Sequence, residues 1–288
     1  MSAGRVRMDR RNALKIAAGM TVAAAPAWAA DPPKPKGRLA QSVCRWCYGK
    51  IPLEALAAEA KKMGYRSIEL LGPKEVLTIK PLGMACAVLH VGGPVNIASG
   101  LNRLENHAAI EAALRSGIEF AAAHGVPNVI CFSGNRQGMD DAEGLKNCAI
   151  GVKRFIGFAE QNNVTVIMEL LNSKVDHKDY MCDRTAWGVS LCRAIGSPRF
   201  KLLYDIYHMQ IMEGDVIRTI RQNAEHIAHY HTGGVPGRNE IDETQELNYS
   251  TICRAIADSG YSGFLGQEFI PKRAPMESLA QAFQICDV

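Results

Sequence analysis

From about residue 39 onward, short runs of β-branched and apolar residues alternate with longer stretches whose apolar positions recur at helical spacing. The short runs predict strands over 39–46, 66–71, 85–91, 128–133, 165–171, 201–208, 227–232 and 263–269. The stretches between them predict helices over 52–63, 73–79, 102–124, 141–162, 184–195, 213–225, 250–259 and 275–286. Pro52 and Pro275 suit the first turn of a helix, and Gly64, Gly125, Gly196 and Gly260 suit helix ends. Eight strand–helix units in roughly 250 residues, with no long linker, predict a single (β/α)8 TIM barrel. A doubly wound α/β sheet is the alternative, but its glycine-rich phosphate loop is missing. Leu71-Gly72-Pro73 and Val91-Gly92-Gly93 follow strands without completing a G-x-G-x-x-G.

The later strands end in polar residues. The fifth reads Val-Ile-Met-Glu169-Leu-Leu-Asn172 and the sixth Leu-Leu-Tyr-Asp205-Ile-Tyr-His208-Met-Gln210. The seventh reads Ala-His229-Tyr-His231-Thr-Gly-Gly-Val-Pro-Gly-Arg238, and the eighth Leu-Gly-Gln-Glu268-Phe. A barrel of this kind builds its active site at the C-terminal ends of its strands. A charge in an apolar strand costs stability unless it is paired or ligates a cation. One such carboxylate is explained by an ion pair. Glu169, Asp205 and Glu268 converging with His231 on one mouth would repel one another without a cation. The oxygen-rich set favours a hard divalent ion, Mn2+ or Mg2+, and the imidazole leaves Co2+ and Zn2+ open. Four protein ligands leave about two octahedral positions for adjacent substrate oxygens.

Other polar residues are secondary candidates. His90 ends the third strand, where it would line the pocket. His229 precedes His231 by two residues and should face the same way one layer deeper, in a buried structural role. Asn172, Lys174, Asp176 and His177 follow the fifth strand as a lid or as plain surface, and Trp46 and Tyr48 either wall the pocket or pack beneath the first helix.

Four stretches resemble successive motifs of the xylose-isomerase-like barrel superfamily. They are Met-Glu169-Leu-Leu-Asn, Tyr-Asp205-Ile-Tyr-His208-Met-Gln, His231-Thr-Gly-Gly-Val-Pro-Gly-Arg238-Asn-Glu and Gln-Glu268-Phe. Asp-Ile-Tyr-His-Met-Gln and Val-Pro-Gly-Arg, with Glu-Leu-Asn-Tyr249 shortly after, are most similar to the hydroxypyruvate isomerases within it. The resemblance implies Glu169, Asp205, His231 and Glu268 as metal ligands, with His208 and Arg238 holding substrate oxygens. It implies a metal-dependent isomerase of a small hydroxy-carbonyl compound, with Glu169 and Glu268 as base and acid. His208 as a core histidine and Arg238 as a solvated loop charge are the plainer readings. The histidine at 231 resembles the ketose 3-epimerase branch, so epimerisation of a ketose or keto-sugar stands beside isomerisation. A non-catalytic periplasmic sugar-binding protein is a further alternative, although it needs no two opposed carboxylates. Phosphodiester hydrolysis of the endonuclease type calls for a cluster of about three zinc ions and a basic DNA-binding face. Its many histidine ligands are lacking here, so no nucleic-acid partner is expected.

Charge and cysteine usage sharpen the setting. The chain has 288 residues, 47% of them hydrophobic, which suits an ordinary folded domain rather than a disordered one. Its net charge of +4 would point to an anionic partner if the folded domain carried it. Residues 1–30 contain five basic residues and one acidic residue, which leaves 28 of each sign from residue 31 on. That segment has a basic start with Arg10-Arg11, a short apolar run and Ala27-Trp28-Ala29, and it resembles a twin-arginine export signal. An amphipathic first helix is the alternative. The expectation is cleavage after Ala29 or nearby, export to the periplasm, a barrel over 31–288, and no membrane span in the mature protein, since spanning needs roughly 20 strongly apolar residues. Nine scattered cysteines do not form a disulfide scaffold. Cys44-Arg-Trp-Cys47 ends a strand rather than opening a helix, so buried thiols are expected over a redox pair. The outer helices leave a homo-oligomer open.

Overall fold

The computed structural model describes Met1 and residues 36–288; beyond Met1, the expected export segment up to residue 30 lies outside the described residues. Eight strands, β1 (Ala40–Cys44), β2 (Ser67–Glu69), β3 (Val88–Leu89), β4 (Asn128–Cys131), β5 (Thr165–Glu169), β6 (Phe200–Asp205), β7 (Ile227–Thr232) and β8 (Phe264–Gln267), lie parallel in the order β2-β1-β8-β7-β6-β5-β4-β3. Main-chain bonds from Ile68 N to Ala85 O (3.0 Å), Leu70 N to Val88 O (2.9 Å) and His90 N to Leu71 O (2.9 Å) join β2 to the β3 segment and complete the ring. The helices α1 (Leu53–Met63), α2 (Pro73–Ile79), α3 (His107–His124), α4 (Asp141–Lys153), α5 (Ile156–Gln161), α6 (Thr185–Ile195), α7 (Ile206–Met212), α8 (Val216–Asn223), α9 (Tyr249–Asp258) and α10 (Pro275–Cys286) form the outer layer. The expected TIM barrel is the observed fold. Strands such as Val129–Cys131 and Val166–Met168 are buried throughout because helices cover one side and barrel side chains the other.

The pattern misplaces several boundaries, each for a physical reason. The helix expected over 141–162 is two helices, because Phe155 at φ −130° leaves the helical region while its ring is buried in the core. The helix expected from 102 starts at His107, because buried Asn102 donates its amide to Asn135 O (2.7 Å). The sixth strand stops at Asp205, whose Oδ1 accepts the His208 main-chain N–H (3.1 Å) and caps α7. His208 therefore sits on a helix, not on the strand where the sequence reading put it. No helix of the described residues is long and apolar enough to cross a membrane.

The mouth at the strand ends is tied by Tyr180, a fully buried ring on the segment after β5. Its hydroxyl accepts from Ser133 N (3.1 Å), just past β4, and donates to Glu169 O (3.0 Å) at the end of β5. Removing that hydroxyl strands a buried donor and a buried acceptor beside the site. Tyr180→Phe is expected to lower stability by about 1–3 kcal/mol in urea denaturation with the denaturant slope unchanged.

Candidate metal centre and active site

Four strand ends aim side chains at one point. Glu169 closes β5, Asp205 closes β6, His231 lies in β7 and Glu268 directly follows β8. One ligand atom from each lies within 4.8 Å of all the others, and all four residues are buried. His231 Nδ1 is 2.7 Å from Glu268 Oε2 and 3.4 Å from Glu169 Oε1. Despite this closeness, Glu169 Oε1 and His231 Nδ1 have no aligned hydrogen-bond partner among the described residues. Buried polar atoms are rarely left so. Two orphaned atoms within a set of three carboxylates and an imidazole fit a divalent cation among them.

Arg238 supplies the positive charge that the chain itself brings. Its backbone is held in the left-handed region at φ 57°, a sparsely populated conformation for a residue with a side chain. The guanidinium lies 5.2 Å from the ring centres of both Trp46 and Tyr207. Its Nη2 donates to Asp205 Oδ2 (3.0 Å) and Glu268 Oε2 (2.5 Å). Trp46 Nε1–H donates to the other Glu268 oxygen at 2.6 Å. The two glutamates consequently diverge. Burial and the neighbouring charge of Glu268 push the Glu169 carboxyl up. Burial works the same way on Glu268, but Arg238 and His231 outweigh it and hold that carboxyl well below the usual range. Arg238 is thus no solvated loop charge.

Glu169 and Glu268 open into a cavity of about 360 Å3, walled by Trp46, Leu70, His90 and Phe132 among others. His90 is on this wall, as expected, with Nε2 3.2 Å from Val95 O. Trp46 walls the cavity, whereas Tyr48 is buried. His177, from the segment after β5, also faces the cavity. His208 does not: it is fully buried behind the wall, with Nε2 3.6 Å from Asp205 Oδ2. Its Nδ1 is 2.7 Å from Asn172 Nδ2. The Asn172 amide has a fixed orientation, because its Oδ1 accepts from Val175 N (3.0 Å) and Asp176 N (2.8 Å) while Nδ2 also donates to Asp176 (2.6 Å). His208 Nδ1 is therefore an acceptor, and the ring's proton sits on Nε2, which has no hydrogen-bond partner among the described residues.

A sequence profile of the xylose isomerase-like TIM barrel family matches residues 57–286. The chain belongs to that family. Among curated relatives, hydroxypyruvate isomerase of Escherichia coli is 26% identical over 238 residues, covering 78% of this chain and 90% of the relative. The 2-oxo-tetronate isomerase of Pectobacterium atrosepticum is 27% identical over 237 residues, covering 77% and 88%. A solved structure titled AP endonuclease, family 2, from Brucella melitensis superposes with a TM-score of 0.75 at 20% identity, over 84% of this chain and 98% of that one. At that identity it speaks for the fold alone.

This xylose isomerase-like barrel also holds a carboxylate that the sequence reading overlooked. Glu69 ends β2 and is fully buried, and its Oε1 lies 2.7 Å from Nε2 of both His229 and His231. The signal was present: an acid closing an apolar strand, as in Glu169. Cys44 Sγ approaches the same oxygen at 3.5 Å, and burial pushes that thiol up, away from reactive thiolate.

The Asn172 clamp gives a prediction for His208. Burial and Arg238 hold its pKa well below the usual histidine value. Histidine nitrogen NMR should show a neutral ring protonated at Nε2 at neutral pH and still neutral where free histidine has begun to protonate. Asn172→Asp should move the proton to Nδ1. Because the folded value lies below the unfolded one, the unfolded chain takes up this proton first, and His208 should lower stability as the pH falls below about 6.5.

Proposed function

We propose that the protein is a divalent-metal-dependent isomerase that moves a proton between adjacent carbons of a small hydroxy-carbonyl compound. The reaction we favour is hydroxypyruvate to tartronate semialdehyde or a close analogue, as the names of the curated relatives suggest. The observation that carries this reading is the pairing of Glu169 and Glu268 on one cavity, within a four-residue cluster suited to a cation.

Glu169, Asp205, His231 and Glu268 would hold the ion. When bound, it would supply Lewis-acid polarisation of the substrate carbonyl and neutralise the adjacent hydroxyl oxygen. Mn2+ or Mg2+ suits three carboxylates and one imidazole best. One glutamate takes the proton from the hydroxyl-bearing carbon and delivers it to the neighbouring carbonyl carbon, while the other takes the hydroxyl proton and returns it to the former carbonyl oxygen, so that no proton is gained or lost. Arg238, stacked between Trp46 and Tyr207, binds a substrate carboxylate or terminal hydroxyl at the mouth. His208 keeps its Nε2–H turned towards Asp205 Oδ2, 3.6 Å away, where it steadies the charge of that carboxylate from behind the wall.

Epimerisation of a ketose is the second reading, favoured by the imidazole of His231 in the cluster. Substrate α-proton exchange in D2O, followed by NMR with hydroxypyruvate, 2-oxo-tetronate and a ketose panel, separates the two. Glu169→Gln and Glu268→Gln should each cut turnover by about 10^2–10^4, and chelation should abolish it. For an epimerase, each single variant keeps exchange on the one sugar epimer whose face still has its glutamate. No exchange with any of these compounds would overturn both readings.

We also propose that the protein is exported to the periplasm by the signal around Arg10-Arg11. Replacing both with Lys should trap it in the cytoplasm, and continued export would contradict the assignment.

A further inference from the structure

We infer that Glu69 is the positioning residue of the metal centre: it fixes His231 with its proton on Nε2, so that Nδ1 is the atom offered to the cation. This rests on the metal-site reading above and adds a residue to it. Glu69 and His231 come from β2 and β7, with β1 and β8 between them in the sheet order. Their contact crosses the barrel interior, where Glu69 Oε1 meets Nε2 of both His231 and His229 at 2.7 Å. An ionised carboxylate can only accept, so both ring nitrogens facing it must be donors. With Nε2 occupied in this way, the other face of the His231 ring, Nδ1, is the one turned to Glu169 and Glu268. Metal-binding histidines commonly have their second nitrogen anchored on a carboxylate, which fixes the tautomer and raises ligand basicity.

The backbone is shaped for this contact. Gly266 on β8 pairs in register with His231. A Cβ at Gly266 would lie 2.5 Å from Glu69 Oε1 and 2.8 Å from His231 Cδ2, so only glycine leaves the passage open. Leu70, directly after Glu69, is held at φ 58°, in the left-handed region, and its side chain lines the cavity while Glu69 stays inside the barrel.

The test uses the full chain loaded with Zn2+, a diamagnetic probe, with metal affinity measured by competition and histidine nitrogens by NMR. In the metal-loaded wild type, His231 should keep its proton on Nε2 and ligate through Nδ1, whose resonance should shift on metal addition. Glu69→Gln, Glu69→Ala and Gly266→Ala should each weaken Zn2+ binding by roughly tenfold to a hundredfold. Glu69→Gln keeps the volume and remains informative if the other two fold poorly. A purely structural role would lower the melting temperature and leave affinity and tautomer unchanged. Affinity within about twofold of wild type in every folded variant, or ligation through Nε2, would overturn the inference. So would two Zn2+ per chain with one lost in Cys44→Ser, because Cys44, Glu69 and His231 would then be a second site. If the wild type binds no divalent ion, the metal-site reading itself falls, whereas bound metal with unmoved affinity in the variants removes only the role of Glu69.

Discussion

Three carboxylates and an imidazole are buried at the mouth of this barrel with ligand atoms within 4.8 Å of one another, and mutual repulsion there governs the surrounding structure. Removing one ion from water carries a penalty of several kcal/mol, and like charges side by side add to it. The chain meets part of that cost with Arg238, whose guanidinium reaches Asp205 and Glu268 and is steadied between two aromatic rings. It leaves the remainder unmet, as the unpartnered Glu169 Oε1 and His231 Nδ1 record. A cluster arranged this way costs stability unless a cation offsets the charge, which is the role proposed for it.

The supporting groups follow from the same constraint. Tyr180 ties the ends of β4 and β5, which fixes the backbone that carries Glu169. Asp205 both faces the cluster and caps α7, so the position of one candidate ligand is set by the start of a helix. Asn172 and Glu69 each grip an imidazole from behind, the first on His208 and the second on His231. The cavity side of the site is mostly apolar, with Trp46, Leu70 and Phe132 on its wall, so the carboxylates face a surface of low polarity at the place where proton transfer is proposed.

The barrel and the four strand-end residues were legible because both depend on local pattern. Apolar runs of strand length alternate eight times with helical stretches, and an acid or histidine at the end of an apolar run stands out. What required the fold was contact between distant strands. Glu69 bears the same mark as Glu169, yet its meaning appears only when β2 and β7 are brought together through the gap at Gly266. The sixth strand is expected to run on to His208 because the apolar run continues through Ile206 and Tyr207; the capping bond to Asp205 starts a helix instead and sinks the ring behind the wall. His177 on the wall arises from the course of the segment after β5, and periodicity carries no information about such a segment.

The central claim is that these four side chains form a single cation site. Anomalous scattering from crystals grown with Mn2+ tests it directly. The account predicts one strong peak per chain, bounded by Glu169, Asp205, Glu268 and Nδ1 of His231. An empty cluster at saturating Mn2+, or a peak confined to the Cys44–Glu69 side of His231, would contradict it.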